Sequence, residues 1–291
     1  MEKCNLCPRG CNASRENGSG FCRVSNKLTL GRAGLHFWEE PCISGIGGSG
    51  AVFFSGCNMG CIYCQNMVLS RGKTGKEISV DRLREIFDEL IDEGADNINL
   101  VTPSHYVPEI VKALSYEKLP VPVVYNTSSY EKTEVLKSLE GLIDIYIPDL
   151  KYIGKGISLA LSGAPDYAGF AVPAIKEMIR QKPECVYDED GMLLSGVIVR
   201  HLVLPGFIDN TYDVIDTVSR EFGDKVLFSL MSQYTPPARE LKYPSLNRRL
   251  TQEEYESAVD YMYLSGIENG FVQELSSAKE EYTPDFDLSG V

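Results

Sequence analysis

The chain reads as an α/β protein, a sheet of parallel strands joined by helices, with a small cysteine-rich extension at its N-terminus. Two observations predict the sheet. Six short apolar runs rich in β-branched and aromatic residues recur between residues 51 and 231, and amphipathic stretches lie between them. Strands buried on both faces read as such near-continuous runs. Strands alternating with helices build right-handed βαβ units on a parallel sheet. A third observation predicts the extension: Met1–Gly50 is rich in Cys, Gly, Arg and Asn and shows no long helical period. So little apolar content needs a staple other than a core.

In chain order, strands are expected at Ala51–Ser55, Asn97–Val101, Val121–Asn126, Leu142–Ile147, Gly196–Leu204 and Val226–Met231. The helix Val80–Glu93 sets Leu83, Ile86, Phe87, Leu90 and Ile91 on one stripe and stops at Gly94. Glu131–Glu140 and Thr211–Phe222 read likewise, and Thr251–Gly266 opens with a capping box from Thr251 to Glu254. Six such units fit either an open doubly wound sheet or an incomplete barrel. The chain then divides into a metal-binding extension over 1–50, the α/β unit over 51–270 and a polar tail over 271–291 that packs over an edge. No internal repeat interrupts this order.

Composition narrows the function. The 291 residues are 43% hydrophobic and 24% charged, ordinary for a globular enzyme and wrong for a disordered chain or a coiled coil. The net charge of −13 argues against a duplex nucleic-acid partner, which wants a basic surface. No run reaches the length of a membrane span, and Met1-Glu2-Lys3-Cys4 has no apolar signal core. A cytoplasmic location is expected. Eight of the nine cysteines precede Asn66, a pattern of metal thiolates rather than of a secreted disulfide framework.

Two cysteine constellations carry the chemistry. Cys57, Cys61 and Cys64 stand as CNMGCIYC directly after the first expected strand. Three thiolates on an iron–sulfur cubane leave one iron open to bind a substrate; a zinc site would borrow a fourth ligand from elsewhere. Cys4, Cys7, Cys11 and Cys22 supply four thiolates, which close a site for structural zinc or an electron-relaying cluster. Such a loop should order with its metal, since binding energy there is folding energy, and should leave the barrel's own pocket intact. Cys42 and Cys185 read as small buried hydrophobes. His36, His105 and His201 have no assigned role, although His105 follows a strand end where a substrate would pass. Gly45, Gly47, Gly48 and Gly50 form no dinucleotide fingerprint.

CxxxCxxC with an aromatic residue before its last cysteine resembles the signature of radical S-adenosylmethionine (SAM) enzymes. The longer run GSGAVFFSGCNMGCIYCQN is similar to the branch of pyruvate formate-lyase activating enzyme, and the chain looks most like relatives there that carry an additional N-terminal four-cysteine motif. The resemblance covers most of the chain and implies a partial (β/α)6 TIM-type barrel. It implies a 4Fe–4S cluster on Cys57, Cys61 and Cys64, with SAM chelating the open iron. One electron, from a flavodoxin- or ferredoxin-type reductant, then cleaves the sulfonium, and the 5′-deoxyadenosyl radical abstracts hydrogen from a glycyl-radical enzyme or from a peptide. At the N-terminal cysteines a second 4Fe–4S cluster and zinc both stay open.

The resemblance also implies the SAM contacts, all at the carboxyl ends of strands, where barrel chemistry sits. Tyr63 would pack on adenine. Thr102 would take the place of a Gly-Gly-Glu run, which is absent from Thr102-Pro103-Ser104-His105. Asn126 and Thr127 would line the next turn. In Asp149-Leu150-Lys151, Lys151 would meet the SAM carboxylate and Asp149 the ribose or a monovalent cation. Arg200 would point toward SAM and Gln233 toward its ribose. Outside this reading stands a non-catalytic iron–sulfur relay or redox sensor. Such a relay closes each cluster with four cysteines, and the Cys57 loop has no nearby fourth. A zinc-stapled binding module, the third reading, would be colourless.

Overall fold

A computed structural model of the chain describes residues 3–16, 18–72, 74–277 and 284–291. The apolar runs and amphipathic stretches fold in the order β1 (Leu28–His36), α1 (Pro41–Ser44), β2 (Ser49–Phe54), α2 (Met67–Ser70), β3 (Lys76–Ile78), α3 (Val80–Asp92), β4 (Asn97–Val101), α4 (Val107–Leu114) and β5 (Val123–Thr127). There follow α5 (Thr133–Lys137), β6 (Ile145–Pro148), α6 (Lys155–Ser162), α7 (Tyr167–Gln181), β7 (Val186–Tyr187), β8 (Leu193–Leu202), α8 (Ile208–Glu221), β9 (Leu227–Met231), α9 (Gln252–Leu264) and β10 (Gly270–Val272). The strands join in one sheet of order β10-β9-β8-β6-β5-β4-β2-β1-β3, with β7 paired to β8. From β2 through β10 along that path the pairing is parallel, and the sheet does not close.

Alternation divides the side chains. Ile98, Leu100, Tyr125, Tyr146 and Val199 face outward into the main core, where the stripe Leu83, Ile86, Phe87 and Leu90 of α3 buries against it. Each such side chain contributes roughly 1.5–3 kcal/mol. The neighbours Val124, Ile145, Ile147, Ile198 and Leu227 face inward and pack on Cys42 and Ile43 of α1, which plugs the lower end of the curved sheet. Ser79 caps α3 by accepting the Arg82 N–H, and the Thr251–Glu254 capping box opens α9 as its spacing predicts.

Several elements escape the sequence patterns. In β1, LTLGRAGLH mixes glycine and charge, yet it pairs antiparallel with β2, placing His36 opposite Ser49. A Cβ at Gly31 would lie 2.1 Å from a Leu69 methyl, so any larger residue there would have to displace that side chain. Residues 28–36, expected inside the cysteine-rich extension, are therefore part of the sheet. Pro173 inside α7 and Pro108 in the first turn of α4 hide those helices, since proline reads as a breaker. Short β10 adds a parallel strand beyond the six expected, and the tail runs along β1, with Leu288 N–H on Gly31 O and Ala33 N–H on Ser289 O. Among the described residues no helix is long and apolar enough to cross a membrane.

Candidate active site

After β2 the chain turns at Ser55-Gly56 into the loop that carries Cys57, Cys61 and Cys64. Gly56 has φ +87°, and a Cβ there would meet the Cys22 carbonyl oxygen at 2.6 Å, so this loop and the N-terminal loop approach backbone to backbone. All three thiols line one cleft of about 260 Å³ at the carboxyl ends of the parallel strands, close to the lower bound of small-molecule sites. Hydrogen-bond donors surround the sulfurs. Ser162 Oγ donates to Cys61 Sγ at 3.0 Å and the Met59 N–H donates to Cys57 Sγ at 3.3 Å. Burial pushes the Cys57 thiol up, and burial with the neighbouring thiols pushes Cys64 up to about 12. Thiolates gathered here need a cationic partner, and donors to sulfur are among the levers that tune an iron–sulfur cluster. The donor set therefore fits such a cluster.

The strand ends surround the same cleft. Tyr63, Thr102, Asn126, Thr127, Asp149, Lys151, Arg200 and Gln233 all line it. Tyr63 is buried, and its hydroxyl accepts a 2.7 Å bond from Tyr152. Thr102 holds φ +60°, an outlier for a β-branched residue, and its N–H donates to Asn126 O at 2.9 Å. Strain of this kind collects at functional sites. Lys151 Nζ binds Asp149 Oδ2 at 2.5 Å. Burial pushes the Lys151 ammonium down, but Asp149, with Tyr63 and Cys61, outweighs it and holds the group well above its ordinary value. Gln233 is tied to the cluster loop, its carbonyl accepting from Gln65 Nε2 at 3.0 Å.

Two of the expected contacts are engaged inside the protein. Thr127 Oγ1 donates to the buried Glu131 carboxylate at 2.6 Å, where Ser104 Oγ and Tyr125 OH also donate. Burial pushes the Glu131 carboxyl up, only partly offset by those bonds. Arg200, on the wall of the cleft, is ion-paired to both Glu39 and Glu40.

The N-terminal cysteines also gather. Gly20 sits between Cys11 and Cys22, where a Cβ would lie 3.4 and 3.7 Å from their sulfurs. Cys7 is pushed up to about 11 by burial, with Glu131, Cys22 and Cys4 adding to it, and Cys22 is raised by burial and by Cys4 and Cys11. Four neighbouring thiols suit a thiophilic metal. Among the described residues, no three His, Cys, Asp or Glu side chains converge as a single-ion site. Between Cys7 and Cys11 stands Arg9, which sequence reasoning passed over. Its guanidinium lies 3.8 Å over the Phe21 ring and donates to Asn58 O (2.7 Å), Met59 O (3.0 Å), Ser162 O (2.8 Å) and Gly163 O (2.5 Å). The N-terminal loop thus grips the backbone of the cluster loop itself.

Cys42 is buried in the apolar plug with Cys185 packed beside it. His105 does not reach the cleft: it is buried, its Nε2 on Ser55 O at 2.7 Å and its ring against Tyr106. His201, alternating with Arg200, faces out, its Nδ1 on Leu150 O and Nε2 on Thr211 Oγ1. Burial drives both histidines down to about 4. Their folded values lie below the unfolded value near 6.5, so the unfolded chain binds more protons in acid. The stability they contribute is complete above about pH 6.5 and is lost as the pH falls toward 4, by about 3 kcal/mol for each group. Urea midpoints measured from pH 7.5 to 4 should fall, and His201→Gln should make that fall shallower. A midpoint flat across this range would refute the assignment.

Comparison with known proteins gives three findings. The sequence profile of the radical SAM superfamily matches residues 51–181. Over 269 residues the chain is 31% identical to the uncharacterized protein MJ0674 of Methanocaldococcus jannaschii, covering 89% of this chain and 74% of that protein. Among solved structures it is similar to SuiB of Streptococcus suis bound to S-adenosylmethionine (TM-score 0.51, 16% identity, 79% of this chain) and to a radical SAM methyltransferase from Sphaerobacter thermophilus (TM-score 0.52, 12% identity, 77% of this chain). It spans 52% and 65% of those two chains, and at such identities the likeness is one of fold, the open parallel barrel.

Proposed function

The chain belongs to the radical SAM superfamily, the SAM-cleaving radical enzymes, and from that premise we propose how its cleft is used. Cys57, Cys61 and Cys64 hold the 4Fe–4S cluster, and the strand ends hold SAM above the barrel. The observation that carries this reading is that the three thiols and the eight strand-end and loop residues expected at SAM share one cleft. When bound and reduced, the cluster supplies the electron that splits SAM to methionine and a 5′-deoxyadenosyl radical, which abstracts hydrogen from the substrate. Ser162 and the Met59 amide steady the thiolates by hydrogen bonds. Lys151, kept charged by Asp149, faces the SAM carboxylate, while Tyr63 flanks the adenine and Gln233 the ribose. Asp149 faces the ribose or a monovalent cation.

The wider activity is activase-like, with a loop of a glycyl-radical enzyme or a peptide as substrate and a flavodoxin- or ferredoxin-type protein as reductant. An unclosed sheet supports a loop-sized substrate, because its edges leave a side approach to the cleft, where Pro284 of the tail forms part of the wall. The four N-terminal thiols hold a second cluster or zinc. Anaerobic metal analysis separates these: about eight irons per chain for two clusters, about four with one zinc otherwise.

The test of the SAM assignment is equilibrium binding. Lys151→Ala and Asp149→Ala should each weaken SAM binding by about tenfold to a hundredfold, the worth of one charged hydrogen bond, with iron content unchanged. Parent-like affinity in both would break the assignment. A protein that keeps its iron, is reducible and never yields 5′-deoxyadenosine would be the relay instead.

A further inference from the structure

Barrel interiors are filled by layers of branched apolar side chains. Beneath the cleft this one is polar. Ile98 and Leu100 face the outer core, so Asn97, Asn99 and Val101 of β4 alternate to the inside. On β8, Ile198 packs in the inner plug, so Arg200 and Leu202 above it also face in. Into this layer the segment before α1 inserts Glu39 and Glu40. Apolar residues close it from below, around Ile43.

Among the described residues the charges do not balance. Arg200 Nε donates to Glu40 Oε1 at 2.9 Å, and its Nη2 reaches a second oxygen of Glu40 and Glu39 Oε2. One guanidinium therefore serves two carboxylates, and Glu40 takes it from both sides. Glu39 is the one of the pair that lines the cleft. Among the described residues its Oε1 accepts only the Asn99 Nδ2, at 2.8 Å, leaving lone pairs unused. His36, also on the cleft wall, is pushed below its ordinary value first by burial and adds no cation at neutral pH. Lys151 is committed to Asp149 higher up.

A second observation is independent of the charge count. Asn99 is fully buried, and with Nδ2 spent on Glu39 its Oδ1 has no partner among the described residues. An acceptor orphaned in the interior costs free energy until a donor arrives. A surplus carboxylate beside an orphaned carbonyl asks for one kind of guest, a positively charged N–H donor. We propose that Glu39 and Asn99 form a substrate subsite under the SAM cleft that takes a cationic nitrogen, an ammonium or guanidinium. This rests on the cleft being a radical SAM site, and it narrows the substrate to one carrying an amine or guanidine near the abstracted hydrogen. The donor can come from a free amine or from a lysine or arginine side chain.

The experiment uses the anaerobic holoenzyme with SAM bound and reads equilibrium binding by calorimetry. The probes are n-butylamine, butylguanidine and neutral n-butanol, together with Gly-Lys-Gly and Gly-norleucine-Gly. At least one cationic probe should bind tenfold or more tightly than its neutral counterpart, and Glu39→Gln should erase about tenfold of that preference. Asn99→Leu, which keeps the carboxylate, should lower it several-fold. Iron content and visible absorption of each variant report that fold and cluster persist. If only the lysine peptide shows the preference, the guest is a polypeptide side chain; if only the simple cations do, it is a small molecule. Equal binding of charged and neutral probes, or a preference unchanged in Glu39→Gln, overturns the subsite. Parent holoenzyme that fails to cleave SAM on reduction overturns the underlying reading instead, and the two failures are separately visible.

Discussion

Replacing Cys57, Cys61 and Cys64 together by alanine is expected to remove about four irons per chain and to bring 5′-deoxyadenosine formation to background. Cys57, Cys61 and Cys64 are the thiols that line the cleft among the described residues. The fold should survive. None of the largest fully buried side chains lies on the loop, which contributes Met59, Cys61 and Tyr63 to the core. The Ser162 hydroxyl and the Met59 amide would lose their acceptors, a cost of about 1–3 kcal/mol for each group that finds no water. The N-terminal cysteines are untouched and should keep their metal, so the remaining metal content reports on that site alone. Anaerobic iron analysis, visible absorption and chromatography of the SAM products check the result. A triple variant that retains its iron, or cleaves SAM at the parent's rate, would remove these thiols from the chemistry.

Arg9→Ala should have the largest effect of any single substitution outside the cleft. It deletes four hydrogen bonds to carbonyls and a stacked cation at once. Two of those carbonyls, Asn58 and Met59, lie inside the cluster loop, and Ser162 is the residue whose hydroxyl binds Cys61. Bonds from charged donors are worth about 1.5–3 kcal/mol each but are not additive, so a loss of about 2–4 kcal/mol is expected. That corresponds to a fall of roughly 5–10 °C in melting temperature for a chain of this size. Arg9→Lys should recover only a small part, since an ammonium cannot fork to four acceptors in fixed directions. The cluster signal should also broaden or shift in electron paramagnetic resonance, because the loop that carries it loses its clamp. A melting temperature within a degree of the parent, with an unchanged spectrum, would refute the clamp.

How much of this was legible in the sequence varies with the range of the interaction. The six main strands and the helix α3 announce themselves because burial on one or both faces forces a local pattern. The strand ends are marked by polar groups directly after apolar runs, and the resemblance, not the pattern, assigns those groups to SAM. Strand β1 was invisible, its Gly31 answering to Leu69 on another element. Arg9 reads as one more charge in a polar loop, since its partners are backbone carbonyls 49 and 154 positions away, and a carbonyl carries no residue signature. Glu39 and Glu40 look like solvated charges until Arg200, 160 positions beyond Glu40, arrives beside them. His105 misled in the opposite sense. It follows a strand end, but the left-handed turn at Thr102 sends the chain away and buries the ring on Ser55.

A barrel divided by height can change one task at a time. Its mouth is made by strand ends and the cysteine loop, its middle layer by Glu39, Glu40 and mid-strand side chains, and its seal by α1 and the apolar cluster on it. Arg200 is the hinge between the first two, touching both the cleft and the carboxylates. A point mutation at position 39 or 99 alters what the floor accepts while the loop of cysteines, the Arg9 grip and the seal stay as they are. Lineages descending from such a chain can therefore drift toward new substrates in single steps, each intermediate still able to generate its radical, and a protein engineer can follow the same route.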